Sequence, residues 1–171
     1  VCASFYHHLA HQHPDDGGFT GTLDEFVTDW CAGRIAFGSW AAHLASWLDV
    51  QSPALTAQDP RVMIISYEAL KNDTRATVTA LARHCRIPIS EQELDHILPR
   101  LDISFMKANI ERFEPRSVKW VYKGDGFQFI REGKVGGSKS FFSKKQEAVF
   151  SDFFSQLGQQ ILFPVSCRSL I

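Results

Sequence analysis

Between Gly126 and Lys139 the chain reads Gly-Phe-Gln-Phe-Ile-Arg-Glu-Gly-Lys-Val-Gly-Gly-Ser-Lys, a run holding four glycines, two lysines and one arginine. Glycine has no Cβ, so its backbone N–H can come close to an anion. The arginine, Arg131, offers a planar fork whose paired donors match the oxygens of a phosphate. Phe127 and Phe129 stand just before it and provide flat faces of the kind on which a nucleobase stacks. Together these types at this spacing make a pocket for a phosphorylated nucleotide. The competing reading is a flexible basic surface loop, since glycine-rich segments are common connectors. The rest of the chain has to decide between them.

Other groups could do chemistry. His7 and His11 lie four apart, with His8 and His13 beside them. An i, i+4 histidine pair can hold a metal, but no Glu occupies an HExxH position and no third ligand stands out, so solvated or locally hydrogen-bonded histidines are expected and no metal site. Trp40, His43 and Trp47 fall on one helical face, read as aromatic packing around a bonded histidine. Tyr67 follows a short β-branched run, Arg61 to Ser66, which reads as a buried parallel strand. In open α/β sheets ligands gather at the carboxyl ends of strands, so Tyr67 is a candidate contact. No Gly-x-x-x-x-Gly-Lys-Ser/Thr loop is present, which tells against a kinase-like phosphoryl transferase.

The elements that must position these groups are mostly helical. Thr22 to Glu25 and Ser90 to Glu93 are capping boxes, and Ser143 to Gln146 opens a third helix in the same way. Their inner faces carry Phe26, Val27 and Trp30; Leu94, Ile97 and Leu98; and Val149, Phe150, Phe153, Phe154 and Leu157. Asp73 to Cys85 reads as an amphipathic helix with Val78, Leu81, Ala82 and Cys85 on one stripe. Val1 to Gln12 reads as a helix with Phe5, Tyr6 and Leu9 inward. A short turn or helix is expected around Ser104 to Asn109.

The chain has 171 residues, 44% of them hydrophobic and 22% charged, with a net charge of -1. That suffices for one core and lacks the basic excess of a nucleic-acid binder. No apolar run approaches the ~20 residues of a membrane span, and no signal peptide is visible. The four cysteines, Cys2, Cys31, Cys85 and Cys167, have neither CxxC nor zinc-finger spacing and read as reduced thiols of a cytoplasmic protein. Val1-Cys2-Ala3 reads like the inside of an element, and one strand among many helices wants parallel neighbours. The chain is therefore expected to be part of a longer α/β domain whose N-terminal strands are missing.

Four segments, in this order, resemble the cytosolic sulfotransferase family. Val1-Cys2-Ala3-Ser4-Phe5-Tyr6-His7 is similar to the segment after that family's central strand. Gly38-Ser39-Trp40 with His43 and Trp47 is similar to its Gly-Ser-Trp-x-x-His segment. Tyr67-Glu68-Ala69-Leu70 resembles its Tyr-Glu-Asp-Leu. Phe129-Ile130-Arg131-Glu132-Gly133 with Gly136 and Lys139 resembles its Arg-Lys-Gly-x-x-Gly-Asp-Trp-Lys signature. The resemblance implies the C-terminal, mostly helical part of a P-loop-like three-layer fold, with residues 1–171 forming one partial domain. It implies transfer of a sulfonate from 3′-phosphoadenosine 5′-phosphosulfate to a hydroxyl or amine of a small molecule, without a metal. Ser4, Arg131 and Gly133 would hold the 3′-phosphate, and Phe129 and Tyr67 would contact the adenine. Ser104-Phe105-Met106 is similar to a Thr-Ser-Phe-x-x-Met turn that lines the nucleotide; two residues between Phe and Met are absent, so Asp102 and Ile103 are the other possible alignment. His13 matches a histidine near the acceptor pocket.

The departures carry their own expectations. Glu132 stands beside the phosphate where the family has Lys, and a carboxylate there repels an anion or turns outward. Gly137 and Ser138 replace Asp-Trp. In the family's Lys-x-x-x-Thr-Val-x-x-x-Glu dimer segment, Lys139 is kept, but Ser143, Lys144 and Ala148 fill the Thr, Val and Glu positions, which puts a family-type homodimer in doubt. The family's phosphosulfate loop and catalytic histidine precede the segment matched by Val1. No residue here is assigned the base, and the chain as given is expected to be inactive. The reading of another class is a truncated, non-catalytic paralogue that binds nucleotide weakly or serves as a partner surface.

Overall fold

A computed structural model describes residues 1–48, 62–121, 126–136 and 140–160. Eight α-helices follow in order: α1 (Cys2–His11), α2 (Leu23–Cys31), α3 (Trp40–Leu48), α4 (Tyr67–Asn72), α5 (Thr74–His84), α6 (Glu91–Ile97), α7 (Ile103–Ala108) and α8 (Lys144–Gln160). Single 3-10 turns lie at Pro14–Asp16, Leu98–Leu101 and Ile110–Arg112.

The helix starts follow from local hydrogen bonding. The Glu25 backbone N–H donates to Thr22 Oγ1 at 3.3 Å while the Thr22 N–H donates to the Glu25 carboxylate at 2.7 Å. Ser90 and Glu93 repeat the exchange before α6 at 3.3 and 2.8 Å. Ser143 and Gln146 do so before α8 at 2.9 and 3.4 Å. Each cap satisfies N–H groups that the helix cannot, a contribution of about 1 kcal/mol.

Packing builds one aromatic core from α1, α2 and α8. Phe26 and Val27 are fully enclosed, and Cys2, Leu9, Trp30 and Ile35 close around them. Phe5, Tyr6 and Phe19 cover one side; Val149, Phe150 and Phe153 of α8 cover the other. The Tyr6 and Phe19 rings meet Phe26 edge-on at 5.1 and 4.9 Å. At the rim, Lys145 and Gln146 of α8 both donate to the Asp24 carboxylate, at 2.8 and 2.5 Å. Those two donors hold the carboxyl below its ordinary range. Outside this core, Ala82 of α5 and Leu94 of α6 are each buried.

Two expectations are corrected. The proposed strand at Arg61 to Ser66 does not form: Arg61 lies outside the described residues, and residues 62–66 pair with nothing. Among the described residues β pairing is one antiparallel bridge, Gln12 to Trp120. Ser66 instead caps α4, accepting from the Ala69 N–H at 3.1 Å. On α5 only Ala82 is buried, while Leu81 is 41% exposed and Cys85 is exposed, so the apolar stripe is half covered. Cys2, Cys31 and Cys85 are free thiols, as expected; Cys167, the Trp47 side chain and Gly137 to Lys139 lie outside the described residues. Burial, with Cys31 nearby, pushes the Cys2 thiol up to about 12, and burial pushes Cys31 up to about 11. Neither is a nucleophile at neutral pH. No described helix is long and apolar enough to cross a membrane.

Candidate functional site

Alternation along an extended chain turns every second side chain to one side. Phe127 and Phe129 are so spaced, and both meet α1, which presents His7, His8 and His11 on adjacent positions of one face. The His8 imidazole lies nearly parallel to the Phe129 ring, 4.7 Å away at 13°. His8 Nε2 sits 3.0 Å from the Phe129 carbonyl. A carbonyl only accepts, so Nε2 carries the proton and donates. Phe127 is buried between His11, at 4.8 Å and 21°, and Trp120, at 4.8 Å and 29°. Backbone bonds bring Trp120 there: His13 N–H donates to the Lys119 carbonyl at 2.7 Å, and Val121 N–H to the His11 carbonyl at 2.5 Å. The Lys119 N–H donates to the Asp16 carboxylate at 2.7 Å.

Two residues beyond Phe129, Arg131 is half-buried and pairs with no carboxylate among the described residues. Its charge reaches His7. Burial first, then Arg131, His11 and His8, hold the His7 pKa below its ordinary 6.5, with a hydrogen bond to the Gln128 backbone working against them. His7 is therefore neutral at physiological pH, and its Nε2 is buried without a hydrogen-bond partner, as is Trp120 Nε1. Ser4 lies three residues before His7, exposed, on the same face of α1. Glu132 is exposed and points its charge to water rather than to Arg131.

Gly133 joins this loop to the other half of the site. Its φ is +60°, and a Cβ there would lie 2.7 Å from Ile103 Cδ1. Ile103 opens α7. Asp102 caps that helix, accepting from the Ser104 N–H at 2.8 Å and from Ser104 Oγ at 2.5 Å. These bonds, with the more distant charge of Lys71, hold the Asp102 carboxyl below its usual range. Lys71 ends α4, one turn after Tyr67, whose ring is 45% exposed. Phe105 and Met106 are half-buried behind Ser104.

The predicted residues thus fall into groups: Ser4, Phe129 and Arg131 at α1, Gly133 against Ile103 with Ser104, Phe105 and Met106 on α7, and Tyr67 by itself at the start of α4. His13 stands apart. It caps the 3-10 turn, its Nδ1 accepting from the Asp15 N–H at 3.2 Å. A recess of about 530 Å³ along α2 holds none of these residues; Asp24, Glu25 and Asp29 line it, and three carboxylates repel a phosphate.

The expected local hydrogen bonding holds for His11, whose Nδ1 lies 2.7 Å from the His7 carbonyl; the stacking of His8 on Phe129 and of His11 on Phe127 was not legible from the spacing. Among the described residues no group of three or more His, Cys, Asp or Glu could hold a metal. His7, His8, Trp120 and Lys71 were missed as neighbours of the site. The alternation of Phe127 and Phe129 was the available signal, since it puts two rings on one side; it does not say what they meet. The donor set suits a nucleotide bisphosphate: an unpaired guanidinium, an exposed hydroxyl on Ser4, a glycine backbone at Gly133, and the flat rings of Phe129 and Tyr67.

Comparison with known proteins gives the same direction. The family model for the sulfotransferase domain matches residues 1–161. A 3-alpha-hydroxysteroid sulfotransferase of Cavia porcellus is 28% identical over 135 residues, covering 79% of this chain and 45% of its own length. Sulfotransferase 1A1 of Bos taurus is 28% identical over 158 residues, covering 91% of this chain and 50% of its own. The chain spans about half the length of the curated relatives it matches. Among solved structures, retinol dehydratase in a complex with retinol and PAP superposes with a TM-score of 0.72 at 16% identity, covering 95% of this chain and 46% of that one. A mouse sulfotransferase complexed with PAP gives 0.69 at 24% identity, covering 91% and 54%. At those identities the likeness is one of fold.

Proposed function

The chain belongs to the sulfotransferase family, and from that premise we propose that it forms the nucleotide-holding part of an enzyme that sulfonates small molecules. The donor is 3′-phosphoadenosine 5′-phosphosulfate, and the acceptor is a hydroxyl or amine. Residues 1–171 are part of one such domain, of the three-layer P-loop-like kind, working in the cytoplasm. When bound, the donor supplies a sulfonate whose S–O bond to phosphate breaks as the acceptor atom bonds to sulfur.

The chain's own residues bind and orient. Arg131, the Ser4 hydroxyl and the Gly133 backbone hold the 3′-phosphate. Phe129 and Tyr67 bracket the adenine. Ser104, Phe105 and Met106 line it from α7, and Glu132 borders the phosphate from the solvent side. His13 faces the acceptor. The neutral His7 beside Arg131 leaves the guanidinium as the cation at that point, opposed by the exposed Glu132 carboxylate only through a solvent-screened field.

The observation that carries this reading is Arg131, unpaired among the described residues and held against α1 beside His7. A guanidinium that is half-buried with no counter-charge is a site for an anion from outside the chain. The test is titration of the full-length protein with 3′-phosphoadenosine 5′-phosphate by calorimetry. Arg131→Ala should weaken binding by about 2–3 kcal/mol, the scale of a hydrogen bond to a charged group. Unchanged affinity would remove Arg131 from the site. Binding in wild type with no sulfonate transfer to any phenol, alcohol or amine would favour the non-catalytic paralogue instead.

A further inference from the structure

We propose that His8 is a positioning residue for the nucleobase: it fixes the Phe129 ring at two points so that one face of that ring is held ready for the base. This rests on the reading of Phe129 as the adenine platform.

A phenyl ring on an irregular segment turns about its χ angles unless something holds it, and a platform that must first be ordered binds more weakly. Phe129 is only half-buried, so the core does not hold it. His8 does, in two ways. Its imidazole lies 4.7 Å from the Phe129 ring at 13°, which is face-to-face contact over one side. Its Nε2 donates to the carbonyl of the same residue at 3.0 Å, which fixes the backbone from which the ring projects. Among the described residues the only other ring beside Phe129 is Trp120, tilted at 55° and 5.8 Å away. His8 therefore covers one face, and the opposite face is the one left for a base.

The geometry has a rigid origin. Cys2 and Leu9 anchor α1 in the core, so His8 is presented from a fixed helix and not from a loop. One turn on, His11, Trp120 and His7 gather around Phe127 at 4.8, 4.8 and 5.1 Å. Phe127 is thereby buried, while Phe129 stays half-buried. The same alternating segment gives one ring to the fold and one to the ligand.

The experiment compares two ligands in the full-length protein. These are 3′-phosphoadenosine 5′-phosphate and uridine 3′,5′-bisphosphate, which carries the same two phosphates on a smaller base. Wild type should prefer the adenine compound. His8→Ala should lower adenine-nucleotide affinity on the order of tenfold, the sum of a stacked ring pair and a hydrogen bond, while uridine bisphosphate loses much less, so the preference shrinks. His8→Phe keeps the ring and drops the donor, and should retain most of the preference; His8→Gln keeps a donor and drops the ring, and should lose it. These two variants serve if the alanine protein does not fold. Equal losses for both ligands would overturn the inference, because a general disturbance of the loop cannot tell the bases apart. So would unchanged affinity for both. Wild type that binds neither compound would overturn the nucleotide reading itself, and the inference with it.

Discussion

Replacing Gly133 by alanine perturbs the point where the loop meets α7, and its cost can be worked from two features. The first is conformation: φ is +60°, and an L-residue held in the left-handed region costs about 1–2 kcal/mol. The second is space: the new Cβ would stand 2.7 Å from Ile103 Cδ1, closer than real Cβ atoms come. That atom is the end of a side chain, so Ile103 can turn aside, at about 0.5–1.5 kcal/mol for leaving its rotamer well. Alanine also restricts the unfolded chain, which returns about 0.4–1 kcal/mol. The net destabilisation is about 1–3 kcal/mol by urea or guanidinium denaturation. Ile103→Val deletes the clashing atom itself. In a double-mutant cycle the pair should therefore be less unstable than the sum of the singles by about 0.5–1.5 kcal/mol, the steric part alone. Nucleotide affinity should fall in Gly133→Ala and recover in part in the double variant. A Gly133→Ala protein within about 0.5 kcal/mol of wild type, the range of an ordinary surface substitution, would refute both the left-handed loop and its seat on Ile103. Additive singles would refute the contact while leaving the backbone argument standing.

Glu132→Lys should tighten binding of 3′-phosphoadenosine 5′-phosphate, by a few-fold and more at low salt, because the exposed carboxylate beside Arg131 repels an anion through a field that salt screens. No change at low ionic strength would place that side chain out of the anion's reach. His7 is held below its ordinary value of 6.5, so the unfolded chain takes up its proton first as pH falls. Stability is full above 6.5, starts to decline there and goes on declining toward the folded value. His7→Gln should flatten that part of a melting-temperature profile between pH 8 and pH 5; a wild-type profile that is already flat would sink the assignment.

What the sequence disclosed was what neighbours in the chain decide among themselves. Thr22 with Glu25, Ser90 with Glu93 and Ser143 with Gln146 are three residues apart, and their bonds need nothing else. The inward placing of Phe26, Val27 and Trp30 followed from period alone. The segment before Tyr67 misled because a strand is defined by a partner, and β-branched residues cannot say whether one is there. The stripe of α5 misled similarly: apolar spacing shows which face could be covered, and Leu81 is left exposed. The histidines were legible in part: His11 Nδ1 meets the His7 carbonyl four residues back, and the two rings lie 4.8 Å apart. The rings of Phe127 and Phe129 that also meet His11 and His8 come from more than a hundred residues away, and no spacing discloses them. Gly133 was chosen for its freedom near a phosphate; that its open side is filled by Ile103 could not be read from any spacing.

The docking of residues 119–121 and 126–131 onto α1 closes a loop of more than a hundred residues through a few rings and backbone bonds. The capped helices need only local contacts and can form within microseconds. Long-range closure is slower, because its chain entropy is spent before its contacts exist. If the histidine–phenylalanine contact forms after the rate-limiting step, His8→Ala should speed unfolding and leave the folding rate nearly untouched. In the same case, amides of residues 126–133 should exchange with solvent ahead of those of α2 and α8.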